Sequence, residues 1–420
     1  MTAMVRRPLS QGELDLFVAA HQRFVEGRAG GRRLSLKFID LSGLNLAGRL
    51  LDDADFSGSC LENAILAGAS LERAILFGCD LRGADLKGAR LKRADIRGVS
   101  LRGANLSQAD LTQADFREGV IAIPHATKGL SAVRHEAVKG VADGAVFSGA
   151  TLDGSNLDGM SAAKADFTDC SMRGARLNGA NLKDADLSGA MMDGAEVVGA
   201  NLAGARLVGA VLTSVAMNSA KLDRTDLAGA LRDPDPAAVA RAEDLYQIAL
   251  DGNAWVESGG ALGAPAQFDR EDLRPLGARL KGLRLSAASA KGACLVGMDL
   301  RGVALQGACL DGADLRGADL RDADLRGVRM SRANLANADL RQADLSPLPL
   351  GGGRSLPAML ENSRLRYARL DNADLTGAHL FGADLSGAEM RHVALTEADL
   401  GGTRLDRVVG LEPPASEHAA

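Results

Sequence analysis

Six histidines (His21, His125, His135, His379, His392 and His418), five cysteines and a large number of aspartates are the side chains in this 420-residue chain that could do chemistry. A hydrolytic zinc site on a helix needs two histidines four apart, as in H-E-x-x-H, so that both rings share one face. No two histidines here have that spacing. Structural zinc or a redox pair calls for C-x-x-C, and Cys60, Cys79, Cys170, Cys294 and Cys309 contain no such pair. No G-x-S-x-G elbow, phosphate loop or dinucleotide fingerprint stands between a strand and a helix. The residues therefore predict no catalytic site, no metal and no cofactor. What the aspartates do show is a regular place, beside an aliphatic residue in a frame of five.

Between Cys79 and Phe116 the frame is clearest. Leu81, Leu86, Leu91, Ile96, Leu101, Leu106 and Leu111 recur every fifth residue, and Cys79, Ala84, Ala89, Ala94, Val99, Ala104 and Ala109 stand two places before each. An α-helix would wind such leucines around its whole circumference, so the period excludes a helix. In an extended segment residues two apart share a face: Ala84 and Leu86 point inward and Asp85 outward. The next two positions must turn the chain, and Gly is common at the second, as at Gly83 and Gly88. Each pentapeptide is then a very short strand plus a corner, and a fixed period repeated this often marks a solenoid.

ADLKG, ADLTQ and ANLSQ in this stretch resemble the A(D/N)LXX motif of the pentapeptide repeat proteins. The resemblance implies an all-β solenoid, a right-handed quadrilateral parallel β-helix with four pentapeptides per coil. Composition agrees with a narrow core, with 50 Gly and 3% aromatic residues. A net charge of -5 names no partner. No stretch approaches eighteen consecutive apolar residues and the N-terminus has no long apolar run, so a soluble cytoplasmic protein with no membrane contact is expected.

Along the chain, residues 1–232 are expected to form a capping helix and a solenoid. Ser10-Gln11-Gly12-Glu13 has the form of a capping box, and Leu14, Phe17, Val18, His21, Phe24 and Val25 follow at helical spacing. That helix is read as a lid on the first coil, with His21 packed rather than ligating. The frame runs from Leu36 to Phe116, breaks at 118–144, and resumes one residue out of phase at Phe147, which signals an insertion. A second block, 233–411, repeats the plan. Asp235-Pro236 starts a helix predicted over Val239–Trp255, and Asn253-Ala254-Trp255-Val256-Glu257 resembles Gln22-Arg23-Phe24-Val25-Glu26, as in a duplication. The second frame is interrupted at 346–359 but resumes in phase, consistent with three distorted sides of a coil. Residues 412–420 read as a disordered tail.

Two surfaces are candidates for binding. Within the insertion, Ile121, Ile123, Pro124, His125 and Arg134 replace the usual Ala, Asp, Leu and Gly, and insertions in solenoids often carry specificity. With four pentapeptides per coil, Lys281, Arg301, Arg321 and Arg341 stack as a basic ladder, and Asp299, Asp319 and Asp339 beside them favour self-neutralisation. The expected function is a non-enzymatic scaffold for an unidentified protein partner, without direct nucleic acid binding. The family resemblance implies an alternative, a mimic of duplex DNA that binds DNA gyrase or topoisomerase IV. Mixed Arg and Asp on the faces, and the lack of a dimerisation helix after Leu405, depart from it.

Overall fold

The computed structural model describes residues 6–125 and 129–411, and the backbone alone between 121 and 136. The expected tail at 412–420 lies outside the described residues. Two compact units divide the chain, Met1–Asp233 and Pro234–Ala420.

In the first unit the outward residue of most pentapeptides forms a single parallel bridge to the residue twenty positions on. Four columns start from Ser35↔Asp55, Asp40↔Cys60, Asn45↔Ile65 and Leu50↔Ser70. Four sides per turn is therefore a property of the pairing. The strand is reduced to one residue, because the other four form a turn: Ala84 N–H donates to Leu81 C=O (3.1 Å), and Gly83 sits at φ 63 between them. Leu86 N–H donates to Asn105 C=O (2.7 Å) and Asn105 N–H to Ala84 C=O (3.0 Å), so the short ladder satisfies both backbone groups of the outward residue. The N–H two places after that residue is met by its own side chain. Asp85 accepts from Lys87 N–H (3.1 Å), and Asp110 from both Thr112 N–H (3.0 Å) and the Thr112 hydroxyl (2.5 Å). This is the physical reason for so many aspartates beside core leucines.

Inward residues form one continuous apolar column in each unit. Leu86, Leu106, Leu187, Leu207, Leu320 and Leu340 are all buried, as are Cys79 and Cys170 at the small inward slot. Corner side chains add a second rule at the coil repeat. Phe38, Asn63, Asp184 and Tyr367 each lie over the glycine twenty residues later (Gly58, Gly83, Gly204 and Gly387), where a Cβ would overlap them. Glycine there is required by close approach as well as by positive φ.

At its N-terminal end the first coil meets β1 (Arg7–Pro8), which pairs in parallel with β2 (Ile39–Asp40), and α1 (Gln11–Val25). Both halves of the Ser10–Glu13 capping box form. Leu14, Val18 and His21 are the buried stripe of α1. The Gln11 side chain stands in for a missing strand, donating to Asn45 C=O (3.0 Å) and accepting from Asn45 N–H (2.8 Å).

The insertion begins after Phe116. Across it every column takes one lengthened step (Ser100↔Val141, Asn105↔Val146, Asp110↔Thr151, Asp115↔Asn156), a full coil plus the inserted chain, and then returns to the usual twenty positions. The extra chain forms an antiparallel hairpin of β3 (Gly119–His125) and β4 (Gly129–Val138).

In the second unit the predicted single helix is instead two, α2 (Pro236–Ala240) and α3 (Ala242–Glu257), broken at Arg241, which closes the first and opens the second. Asp235 caps α2 by accepting from Ala238 N–H (2.7 Å), with Pro236 at the first helical position. Leu245, Ala249 and Gly252 form the buried stripe of α3. The first two steps in this unit, Gln267↔Ser289 and Asp272↔Cys294, are each two positions longer than the usual twenty, which returns from Arg284↔Ala304 onward. The interruption at 346–359 is not three distorted sides. The bridges across it (Arg329↔Met359 and the next three) join residues thirty positions apart, so ten residues leave the coil, and β5 (Leu348–Gly351) pairs with β6 (Arg354–Leu356) as a small hairpin. Ten is a multiple of five, which is why the frame survives.

Candidate functional site

The hairpin places the insertion residues in a defined register. Ile121 lies opposite Glu136, Ile123 opposite Arg134 and Pro124 opposite Val133. The register shifts before His125, which pairs with Gly129. Its base is tied to one face of the coil. A Cβ on Gly119 would run into the Phe77 ring, and the Arg97 guanidinium lies 5.3 Å from the centre of that ring. Gly98 is similarly close to Val138, whose carbonyl oxygen lies 3.0 Å from where its Cβ would be. Sequence reasoning did not find this anchor. Its signal was an aromatic residue, Phe77, at the first corner position, which is otherwise mostly polar.

The ladder residues are brought together, but not as a free basic stripe. Arg301 holds Asp299 through Nε (2.8 Å) and Nη2 (2.5 Å), Arg321 holds Asp319 (2.8 and 2.6 Å), and Arg341 holds Asp339 (2.8 and 2.6 Å). Arg301 and Arg321 also reach the next rung, with Arg301 Nε 3.5 Å from Asp319 and Arg321 Nε 3.7 Å from Asp339. The Arg301 bonds pull the Asp299 carboxyl down to about 2, with Lys281 contributing at longer range. Asp319 and Asp324 are lowered as well, the bonds from Arg321 and Arg326 outweighing their burial. Carboxylate and guanidinium alternate across and along this face, so its charge cancels locally.

One group of metal-type ligands occurs among the described residues, Cys60, Glu62 and Asp80. Arg82 occupies it, bonded to Asp80 (2.7 Å) and Glu62 (3.1 Å), so the carboxylates already have their cation. All five thiols are unpaired. Burial raises Cys79 to about 12, which leaves it an inert core thiol, donating to Phe56 C=O at 3.0 Å. No helix among the described residues is long and apolar enough to cross a membrane.

Comparison with known proteins supplies the family. The sequence profile of pentapeptide repeats matches in eight copies, at residues 61–93, 79–118, 143–179, 163–197, 192–229, 308–346, 358–395 and 373–409, together more than half of the chain. Solved structures similar to it include HetL, a pentapeptide repeat protein involved in heterocyst differentiation regulation from the cyanobacterium Nostoc sp. strain PCC 7120. The match has 22% identity and a TM-score of 0.22, covering 74% of this chain and 89% of HetL. QnrB1, a plasmid-mediated fluoroquinolone resistance protein, matches at 20% identity and TM-score 0.36 over 51% of this chain and 97% of its own. Rfr23 of the cyanobacterium Cyanothece 51142 matches at 26% identity and TM-score 0.15, over 33% and 87%. Curated proteins yield no match. With the profile repeated across both units and the twenty-residue parallel step observed in each, the chain belongs to the pentapeptide repeat family and is a β-helical solenoid of the right-handed kind that this family builds.

Proposed function

We propose that this protein is a non-enzymatic scaffold for protein–protein interaction in the cytoplasm, made of two solenoid arms, 1–232 and 233–411. In each arm a helix covers the first coil. The hairpin within 118–144 supplies specificity for a protein partner, through Ile121, Ile123, Pro124, His125 and Arg134. One observation carries the reading. Both flanking runs keep their bridges across the lengthened step, from Ser100↔Val141 to Asp115↔Asn156, so the solenoid has no structural need of the inserted chain. Regular coils offer repeated, self-neutralised surface, whereas the hairpin breaks the repeat in sequence and in backbone. The covering role of the helices is supported by Gln11, which meets both backbone groups of Asn45, and by Asn253, which accepts from Arg284 N–H at 2.9 Å. Five unpaired thiols suit a reducing compartment.

The alternative, a DNA mimic acting on DNA gyrase or topoisomerase IV, needs a continuous acidic face. The Asp299–Arg341 face pairs each carboxylate with a guanidinium, which ranks the scaffold first. The test is removal of residues 118–138. This deletion joins Arg117 to Lys139 and restores a five-residue step from Phe116 to Ala142. Unchanged far-UV circular dichroism and melting are expected, with loss of the proteins that full-length bait captures from its own cell extract, gyrase being scored among them. An unfolded deletion, or capture of the same proteins at the same yield, contradicts the proposal.

A further inference from the structure

The helices α1 and α3 bury the same three positions of their stripes, four and then three residues apart: Leu14, Val18 and His21 in one, Leu245, Ala249 and Gly252 in the other. The last position is where they differ. At Gly252 the helix backbone comes directly against the coil, and a Cβ there would lie 2.9 Å from the Ala266 Cβ and 3.2 Å from its backbone nitrogen. At His21 the imidazole fills the same place. It is fully buried, its Nδ1 accepts the Leu34 N–H at 3.0 Å, its ring stacks on Phe24 with 5.8 Å between centroids, and its Nε2 is buried without a hydrogen-bond partner.

We infer that His21 makes the docking of α1 dependent on pH, so that acidification releases the first unit's helix while α3 stays in place. An imidazole that accepts at Nδ1 from a backbone N–H is neutral, and protonation puts a second donor where an acceptor is required. Docked α1 therefore excludes the imidazolium. The surrounding groups agree with this. Burial pushes the His21 imidazole below the usual histidine range, against the pull of Asp52, while Arg33 adds to the lowering and Asp53 opposes it. Asp53 is itself held below the usual carboxylate range by two bonds from Arg73 (2.9 and 2.7 Å), so it stays ionised through the window in which His21 titrates. On α1 the Glu13 carboxyl is lowered by its Ser10 bonds, and Asp15 is engaged by Arg49 at 3.1 Å. The sign follows from the lowered value. An undocked His21 titrates near 6.5, so docking is fully favoured above about pH 6.5 and weakens below it, by up to about tenfold per pH unit for one proton, until the docked imidazole itself titrates.

Hydrogen–deuterium exchange on the full chain between pH 8 and pH 5, corrected for intrinsic exchange rates, tests this with α3 as internal reference. Protection of Gln11–Val25 is expected to fall by up to about tenfold per pH unit below about 6.5, while that of Ala242–Glu257 stays level. His21→Gln keeps a carbonyl that can accept from Leu34 N–H and does not titrate, so its α1 protection should be level too. If His21→Gln does not fold, NMR titration of the wild-type His21 ring decides: a value below the ordinary 6.5 supports the inference. A ring titrating at 6.5, α1 and α3 losing protection together, a level wild-type α1, or the same loss in His21→Gln each overturns it.

Discussion

Two regions of the core replace a leucine by alanine and resolve the lost volume differently. In the first unit Ala142 and Ala162 follow one another in the same column, in coils 142–157 and 162–177. Each shares its coil with a phenylalanine, Phe147 and Phe167, whose rings stack at 4.7 Å with an angle of 7°. Phe116 meets Phe147 edge-on at 6.5 Å. The large ring fills what the small residue leaves. In the second unit Ala290 shares its coil with Leu285, Leu295 and Leu300, Phe268 stands one coil earlier, and a cavity of about 20 Å³ remains, lined by Phe268 and other apolar side chains. Nothing polar faces into it to hold a water, so it stays dry. In these two places, a ring on the next side of the same coil accompanies a filled core, while Phe268, one coil away, leaves the space beside Ala290 open.

Removing the compensation should have the largest effect. Phe167→Ala would place two alanines on adjacent sides of one coil and strip Phe147 of its stacking partner, and a loss of about 3–5 kcal/mol is expected from such truncations. Chemical denaturation of the variant measures it, and a loss below about 1 kcal/mol would show that the rings are not what fills the coil. Next comes the helix-docking difference. Gly252→Leu forces a side chain against Ala266 and should cost about 1–3 kcal/mol by overpacking, read as lost exchange protection confined to α3; unchanged protection would mean that the close approach is unimportant. Ala290→Val fills part of the cavity and should raise stability by about 1 kcal/mol. A lower melting temperature in that variant would show the space to be inaccessible to the added methyls.

The smallest effect belongs to the ladder face, because its half-buried pairs still reach solvent. Asp299 is depressed to about 2, chiefly by Arg301, so its stabilisation is present above the ordinary carboxylate value near 4 and is lost as pH falls from there towards 2. In Arg301→Gln the Asp299 carboxyl should titrate measurably higher by NMR, while the melting temperature at pH 7 moves little. An unmoved titration would assign the depression to the backbone bond from Arg301 instead. This acid window lies well below the one inferred for His21, so mild acid should distinguish the units before strong acid affects the ladder.

Much of this architecture was legible in the residues. The five-residue frame marked Leu86, Leu106, Leu187, Leu207, Leu320 and Leu340 as core, and all are buried. Capping chemistry placed the starts of α1 and α2, at Ser10 and Asp235. Other features were not legible. Val239–Trp255 was expected as one helix because its apolar spacing runs on through Arg241, and spacing does not report a backbone break. The excursion at 346–359 was expected as three sides of coil because the fifteen-residue step from Leu345 to Leu360 preserves the frame. Spacing sets the ladder arginines beside aspartates, and side-chain geometry shows Arg301, Arg321 and Arg341 each clamped on the aspartate two residues before it. The hairpin's anchor on Phe77 was missed, since that contact joins residues some forty positions apart.

The sequence by itself determined what lies within one pentapeptide: an inward Leu, an inward Ala, an outward residue whose carboxylate meets the N–H two places on, and a corner that turns. These are local interactions, and five residues contain all of them. Tertiary structure alone decided what connects one coil to the next. That includes the four-sided step of twenty residues, the fit of corner side chains over the following glycines, the reach of Arg301 and Arg321 to the aspartate of the next rung, and the use of His21 in one docked helix where Gly252 serves in the other. Each depends on groups that the coil brings within a few ångströms and the chain keeps at least thirteen residues apart, so no local pattern encodes it.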